Sequence, residues 1–251
     1  MKYLLTLLLS LPLVSLAEEA AAPDTLEEKI KAALADERRT ENDTARDANR
    51  KPLETLQFFR LTDDMTVLEL LPGGGWYTKI LGPVLEENGK LYLSIGTNNA
   101  AKLIENNPGF GSTEVIPFDG AGRSEVEERR YTVPEFSFGV RKIDLALTFR
   151  NMHNFDAPGR DNINAAVFEA LKKGGLYGVV DHTRRHMQPD GTEVWRRIDP
   201  IQVIKEVEAA GFRFVDYSDL HYKPDDELRY EVGRKSVTGN TDRFTLLFEK
   251  P

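Results

Sequence analysis

Arg150, Asn151, His153 and Asn154 crowd into the stretch RNMHNF, directly after the apolar run IDLALTF. His182 closes a second apolar run, LYGVVDH, and the polar loop beyond it carries His186, Arg196 and Arg197. A histidine titrates near neutrality and can take a proton, while an arginine holds an anion through its planar fork of donors. His153 or His182 is therefore a candidate base, Arg150 and Arg197 are candidate anion holders, and Asn151 is a candidate polar contact. Each also has a plain structural role open to it. Arg150 could pair with Asp144 or Asp181, and either histidine could be a hydrogen-bonded buried ring. His182 and His186 are four apart, a metal-binding spacing on a helix, but they leave a strand, so no metal is expected. With no cysteine, thiol chemistry is excluded.

These residues need elements that bring them to one place. Apolar runs at Met65–Leu71, KLYLSI, EVIPF, IDLALTF and LYGVVDH alternate with helical patterns. The helices are expected at Trp76–Glu87, around Ala100–Glu105, from a cap at Asp161 to Gly174, and from Asp199-Pro200 to Gly211. FRFVDYSDL and RFTLLFEK close the chain. Such alternation predicts a single α/β domain with a doubly wound, mostly parallel sheet covered on both faces. Ligands bind such sheets beyond the strand carboxyl ends, where RNMHNF and His182 would both lie.

The first strand runs into Pro72 and then Gly73, Gly74 and Gly75. Glycine lets a ligand approach the main chain and tolerates positive φ, and the following helix presents free N–H groups. The same three glycines could make a tight turn with no ligand, yet three in succession at this junction favour binding. A phosphate loop needs Gly-Lys-Ser/Thr, whereas Trp76 follows Gly75 here. The dinucleotide fingerprint fails as well, with Thr78 at its last glycine and no acid closing the second strand at Ile95 or Gly96.

VLELLPGGGWYTKIL resembles the first motif of class I S-adenosylmethionine-dependent methyltransferases, and the order of elements is similar from Thr66 to Phe248. PGGGWYT with LTFRNMHNF is similar to a group of bacterial methyltransferases, known by fold, that often carry export signals. The resemblance implies a seven-stranded Rossmann-like sheet ending in an antiparallel pair, and S-adenosylmethionine as cofactor. It implies cofactor contacts from Glu69, Pro72, Gly73, Gly74, Gly75 and Tyr77, with Asp119 at the adenine amino group. The chain departs from the pattern in two places. Leu71 stands at the motif's first glycine, and the acid that holds the ribose is missing after the second strand, where Ser94, Asn98 or Asn99 would substitute.

Residues 1–17, MKYLLTLLLSLPLVSLA, read as a signal peptide: a basic Lys2, an apolar core too short to span a membrane, and small residues before a cut after Ala17. A periplasmic or secreted location is expected, with no stable membrane span after cleavage. Loss of Lys2 leaves 32 basic against 41 acidic residues, net −9, which argues against nucleic acid as a partner. Residues 18–60 form a helical extension ahead of the domain at 61–251, and Ala20–Arg50 reads as a solvated helix or loose arm. Asp47, Arg50 and Lys51 either fold over the cofactor or form a solvated helix face, the reading their charge favours. The function expected is an exported methyltransferase acting on a small molecule; the alternative is a non-catalytic cofactor- or ligand-binding module that keeps the fold without the reaction.

Overall fold

The computed structural model describes residues 25–251. The predicted leader, 1–17, lies outside the described residues. Seven strands form one sheet: β1 (Thr66–Leu70), β2 (Lys90–Ser94), β3 (Thr113–Ile116), β6 (Ile143–Phe149), β7 (Leu171–His182), β8 (Arg213–Ser218) and β9 (Arg243–Glu249). Their spatial order is β3-β2-β1-β6-β7-β9-β8. β1 pairs in parallel with β2 and β6, β2 with β3, and β6 with β7, while β9 runs antiparallel between β7 and β8. Chain direction thus reverses outward from β1, and the crevice at the carboxyl ends of β1 and β6 is a topological switch point. A short ribbon, β4 (Gly122–Arg123) and β5 (Tyr131–Thr132), was not anticipated.

The helices are α1 (Leu26–Ala35), α2 (Glu41–Thr44), α3 (Asp47–Arg50), α4 (Pro52–Phe58), α5 (Thr78–Leu85), α6 (Asn98–Asn106), α7 (Ala157–Ala170) and α8 (Pro200–Ala209). Apolar side chains on both sheet faces build two core layers. One centres on Leu68, Ala146, Tyr177 and Val179 under α7 and α8. The other gathers Val67, Leu91, Leu145 and Leu147 under α5 and the N-terminal helices.

Two helix starts correct the sequence reading. The helix expected from Asp161 begins at Ala157, because Asp156 accepts the Gly159 N–H at 2.8 Å and Pro158 supplies a helical φ. The helix expected from Trp76 begins at Thr78, since Gly75 at φ +76° keeps the chain turning. Asp199 caps α8 as expected, accepting from Ile201 N at 2.9 Å.

The N-terminal helices are not a loose arm. Ile30, Ala33, Leu56 and Phe59 are buried in the second core layer. Polar ties seal the packing: Lys29 bridges Asp63 at 2.7 Å and Glu87 at 2.8 Å, and Asp43 pairs with Lys79 at 2.6 Å. Trp76 Nε1 donates to Asp43 O at 3.0 Å, and the ring lies between Arg50, with Cζ 4.2 Å away, and Arg39 at 5.1 Å. Enough apolar area on one helix face fixes an extension that composition alone makes look solvated.

Candidate active site

The glycine turn leaves a cleft above it. Gly73 sits at φ +57° and Gly75 at φ +76°, in the left-handed region where a side chain is strained. A Cβ on Gly73 or Gly74 would meet nothing within 4 Å, so the main chain there is open to a ligand. At Gly75 a Cβ would come within 2.6 Å of Leu103 Cδ2, so that leucine would have to shift as well. Leu71 keeps a left-handed backbone, φ +50°, without being glycine. The conformation costs on the order of 1–2 kcal/mol, offset by packing of the Leu71 side chain against the first core layer.

A cavity of about 190 Å³ lies over this turn, lined by Glu69, Leu71–Gly74, Tyr77, Phe149, Arg150 and Asn151, with Asp43, Arg46 and Arg50 closing it from the N-terminal helices. Glu69 is buried and accepts from Thr78 Oγ1 at 2.6 Å. Burial raises its carboxyl from 4.5 to about 7, against the pull of Thr78 and of the Arg50 charge. Tyr77 stacks on Phe149 with centroids 3.6 Å apart, and burial pushes its phenol up to about 12. Asn151 Nδ2 reaches the carbonyls of Leu70 at 3.3 Å and Leu71 at 3.4 Å, tying the end of β1 to the end of β6.

A second cavity, about 500 Å³, adjoins the first and shares Arg46, Arg50 and Arg150 with it. His153 and His182 line it, ring centroids 5.8 Å apart. His153 Nδ1 lies 2.5 Å from Asp181 Oδ1, and the same carboxylate accepts the backbone N–H of His153 at 3.0 Å and of His182 at 2.7 Å. That fixes the His153 ring with Nδ1–H on Asp181, leaving Nε2 with no partner among the described residues. Burial first, then the charge of His153 and of the nearby arginines, holds His182 well below 6.5, and its Nδ1 meets Thr241 Oγ1 at 3.0 Å. Asp181 is the site residue that sequence reasoning left as a mere partner; its place one residue before His182 was the available signal.

Arg150 ends β6 at φ +65°, its N–H bonded to Val180 O at 2.6 Å. Arg150 lines both cavities, at their junction. It pairs with neither Asp144, which holds Lys172 at 2.5 Å, nor Asp181. Arg50 also reaches both cavities, so part of the segment RDANRKP does fold over the glycine turn; Asp47 instead pairs with Arg39, and Lys51 lines neither cavity.

Arg197 is not brought to the site. It is fully buried in a bidentate pair with Asp226, at 2.8 and 3.0 Å, and donates further to Thr183 O and Tyr230 O. With four of its five donors engaged and no exposure, it braces the loop instead of offering an anion site, and this corrects the sequence expectation. Asp119 is exposed on the loop after β3 and lines neither cavity. Ser94 is buried and donates to Ile116 O at 3.2 Å, leaving Asn98 and Asn99, exposed at the start of α6, as polar groups beyond β2. His186 pairs with Asp199 at 2.9 Å, and no His, Asp or Glu group among the described residues could hold a metal.

The residues fit S-adenosylmethionine at its amino acid end. The open backbone at Gly73 and Gly74, and a buried carboxyl at Glu69 with one hydrogen-bond partner among the described residues, suit a ligand whose ammonium group would favour the ionised carboxylate.

No protein-family model and no curated protein sequence matches the chain. Solved structures do. A SAM-dependent methyltransferase from Aquifex aeolicus aligns with a TM-score of 0.57 at 19% identity, over 90% of this chain and 98% of that one. The [4+2]-cyclase SpnF aligns at 0.56 and 15% identity, over 90% and 93%. The glycopeptide N-methyltransferase MtfA aligns at 0.53 and 15% identity, over 84% and 100%. At such identities the likeness establishes architecture and leaves chemistry to the site. The seven-stranded sheet with its antiparallel β9 has the fold of the class I S-adenosylmethionine-dependent methyltransferases.

Proposed function

We propose that this protein is an S-adenosylmethionine-dependent methyltransferase acting on a small molecule. The observation that carries the reading is the open glycine cleft lying directly against a cavity that holds an Asp181-oriented histidine. Glu69, Pro72, Gly73, Gly74, Gly75 and Tyr77 would hold the cofactor, which supplies an electrophilic methyl group when bound. Asp119 and Arg197 have no part in the proposal.

The chain's own work is alignment and proton removal. Methyl transfer is an in-line displacement, so rate depends on holding the acceptor atom along one axis. An acceptor in the larger cavity would reach the glycine cleft where the two meet, at Arg50 and Arg150. His153 accepts the acceptor's proton at Nε2, and the charge gained is balanced through Nδ1–H by Asp181. His182, kept neutral, adds no positive charge beside it.

A second reading, a binding module without methyl transfer, draws support from Arg46, Arg50 and Arg150 lining a cleft meant for a cationic sulfonium. Titration of the protein with S-adenosylmethionine and S-adenosylhomocysteine, with NAD and ATP as controls, is the first step in separating the two. Micromolar binding of both, about −8 kcal/mol, supports the cofactor site. Methyl transfer to a small acceptor, followed as S-adenosylhomocysteine formed, then separates the enzyme from a module that binds cofactor without reacting. A folded protein that binds neither supports a module for another ligand. The leader motivates a further part of the proposal, export, which a fusion to a reporter active only in the periplasm checks. An inactive reporter would place the enzyme inside the cell. No helix among the described residues is long and apolar enough to cross a membrane.

A further inference from the structure

The larger cavity has a concentration of positive charge that the carboxylates among the described residues pair only in part. Arg46, Arg50, Arg150, Arg196 and Arg243 all line it, and none of its lining residues is Asp or Glu. Two of the five have carboxylate partners nearby: Arg46 pairs with Asp43 at 2.9 Å, and Arg196 with Glu231. The other three do not. Arg50 packs on the Trp76 ring, with its guanidinium carbon 4.2 Å from the centroid. Arg243 donates from Nη1 to Asn49 O at 2.8 Å, and its buried Nε has no partner. The Arg150 side chain makes no hydrogen bond or ion pair among the described residues.

Arg50 and Arg243 are only 5% and 7% exposed, so water does not solvate these charges well. Burial, followed by repulsion from Arg150, lowers Arg50 to about 9 and Arg243 to about 10. Burial also lowers Arg150. A buried charge without a counter-ion is costly, and three arginines in one wall are more so. The compensating groups act at a distance and are otherwise engaged: Asp181, which accepts from His153, interacts electrostatically with Arg150 and Arg243, Asp242 with Arg243, and Glu69, which accepts from Thr78, with Arg50. Arg50, Arg150 and Arg243 thus face the cavity together without a hydrogen-bonded carboxylate partner among the described residues.

We infer that the cavity binds a small organic dianion, gripped by Arg50, Arg150 and Arg243 in the way guanidinium groups take phosphate or paired carboxylates. The same ligand resolves an electrostatic difficulty of the adjoining cleft, because it neutralises Arg50 and Arg150 beside the position of a sulfonium. Calling this dianion the methyl acceptor rests on the methyltransferase reading; its binding does not, and it is measured without cofactor. Failure of one reading therefore leaves the other testable.

The test is calorimetric titration of the protein with inorganic phosphate, succinate and acetate at low salt, repeated as sodium chloride is raised. Phosphate or succinate is expected to bind at least tenfold more tightly than acetate, and to weaken with salt. Phosphate alone would point to a phosphate monoester, succinate alone to a dicarboxylate. Arg150→Gln is expected to weaken binding by about tenfold or more, with Arg150→Lys retaining part of it. The thermal midpoint of Arg150→Gln should not fall, since an uncompensated charge has been removed; an arginine kept for structure would lower it. The inference is overturned if neither dianion binds, if acetate binds as well as they do, or if Arg150→Gln binds like the unaltered protein.

Discussion

Glu69 shows how a single residue can be placed against its own preference. Position 69 lies on β1 with both faces covered, where an apolar residue would satisfy the sheet; a carboxyl there is held near 7 by burial. The native state keeps its proton up to about pH 7, whereas the unfolded chain releases it from 4.5. Protons bound by the native state exceed those bound by the unfolded state between these values, so Glu69 costs stability as pH rises from 4.5 to 7. Glu69→Gln keeps an acceptor for Thr78 and removes the cost. Urea unfolding should find the variant more stable by about 3 kcal/mol at pH 8, with the gain vanishing near pH 4.5. His221, buried and held at about 4, moves stability the opposite way between pH 6.5 and 4, but it is common to both proteins and drops out of the difference. A variant equally stable at pH 8 would mean that Glu69 is not buried as described. Leu71 tells a related story, since its left-handed backbone is retained where glycine would be free of strain.

At the scale of elements, the N-terminal helices decide the shape of the cleft. Asp43 is a hub: it caps α2 through the Thr40 N–H at 3.0 Å, pairs with Arg46, and meets the buried Lys79 of α5 at 2.6 Å. Burial alone would raise this carboxyl, but Lys79 and the Thr40 donors hold it at about 2, so the pair persists through the whole range in which the protein would be studied. Asp43→Ala strands a buried ammonium and should cost about 3 kcal/mol, read from the urea midpoint. Asp43→Ala combined with Lys79→Met should recover most of that loss. Equal losses in the single and double variants would show that the pair does not anchor the helices. Little of this docking was legible beforehand. Ile30 and Ala33 are thinly spread among charged residues, and the apolar strip they make has meaning only once α5 lies beneath it.

For the molecule as a whole, the sheet was legible because buried parallel strands are continuous apolar runs, and KLYLSI or IDLALTF cannot be taken for anything solvated. β6 was read residue for residue. The glycine turn was legible too, since three glycines after a strand limit what can follow. What escaped was pairing at long range. Arg150 and Arg197 are alike in sequence, both in polar segments beyond central strands, yet Asp226, 29 residues on, consumes the second and no carboxylate among the described residues consumes the first. Asp181 escaped for the same reason, because its role exists only where β7 passes His153. The fold gathers the glycine cleft, the oriented histidine and the arginine cavity at one sheet edge, and only the binding of a cofactor at the first makes an enzyme of the other two.

The most direct measurement is calorimetric titration of S-adenosylhomocysteine into the unaltered protein and into Gly73→Val, with circular dichroism to establish that both are folded. Valine cannot relax at φ +57°, and its side chain fills space open to a ligand. Binding to the unaltered protein, and none detectable to a folded Gly73→Val, is the expected result. Equal binding to both proteins would contradict it and move the cofactor away from the glycine turn.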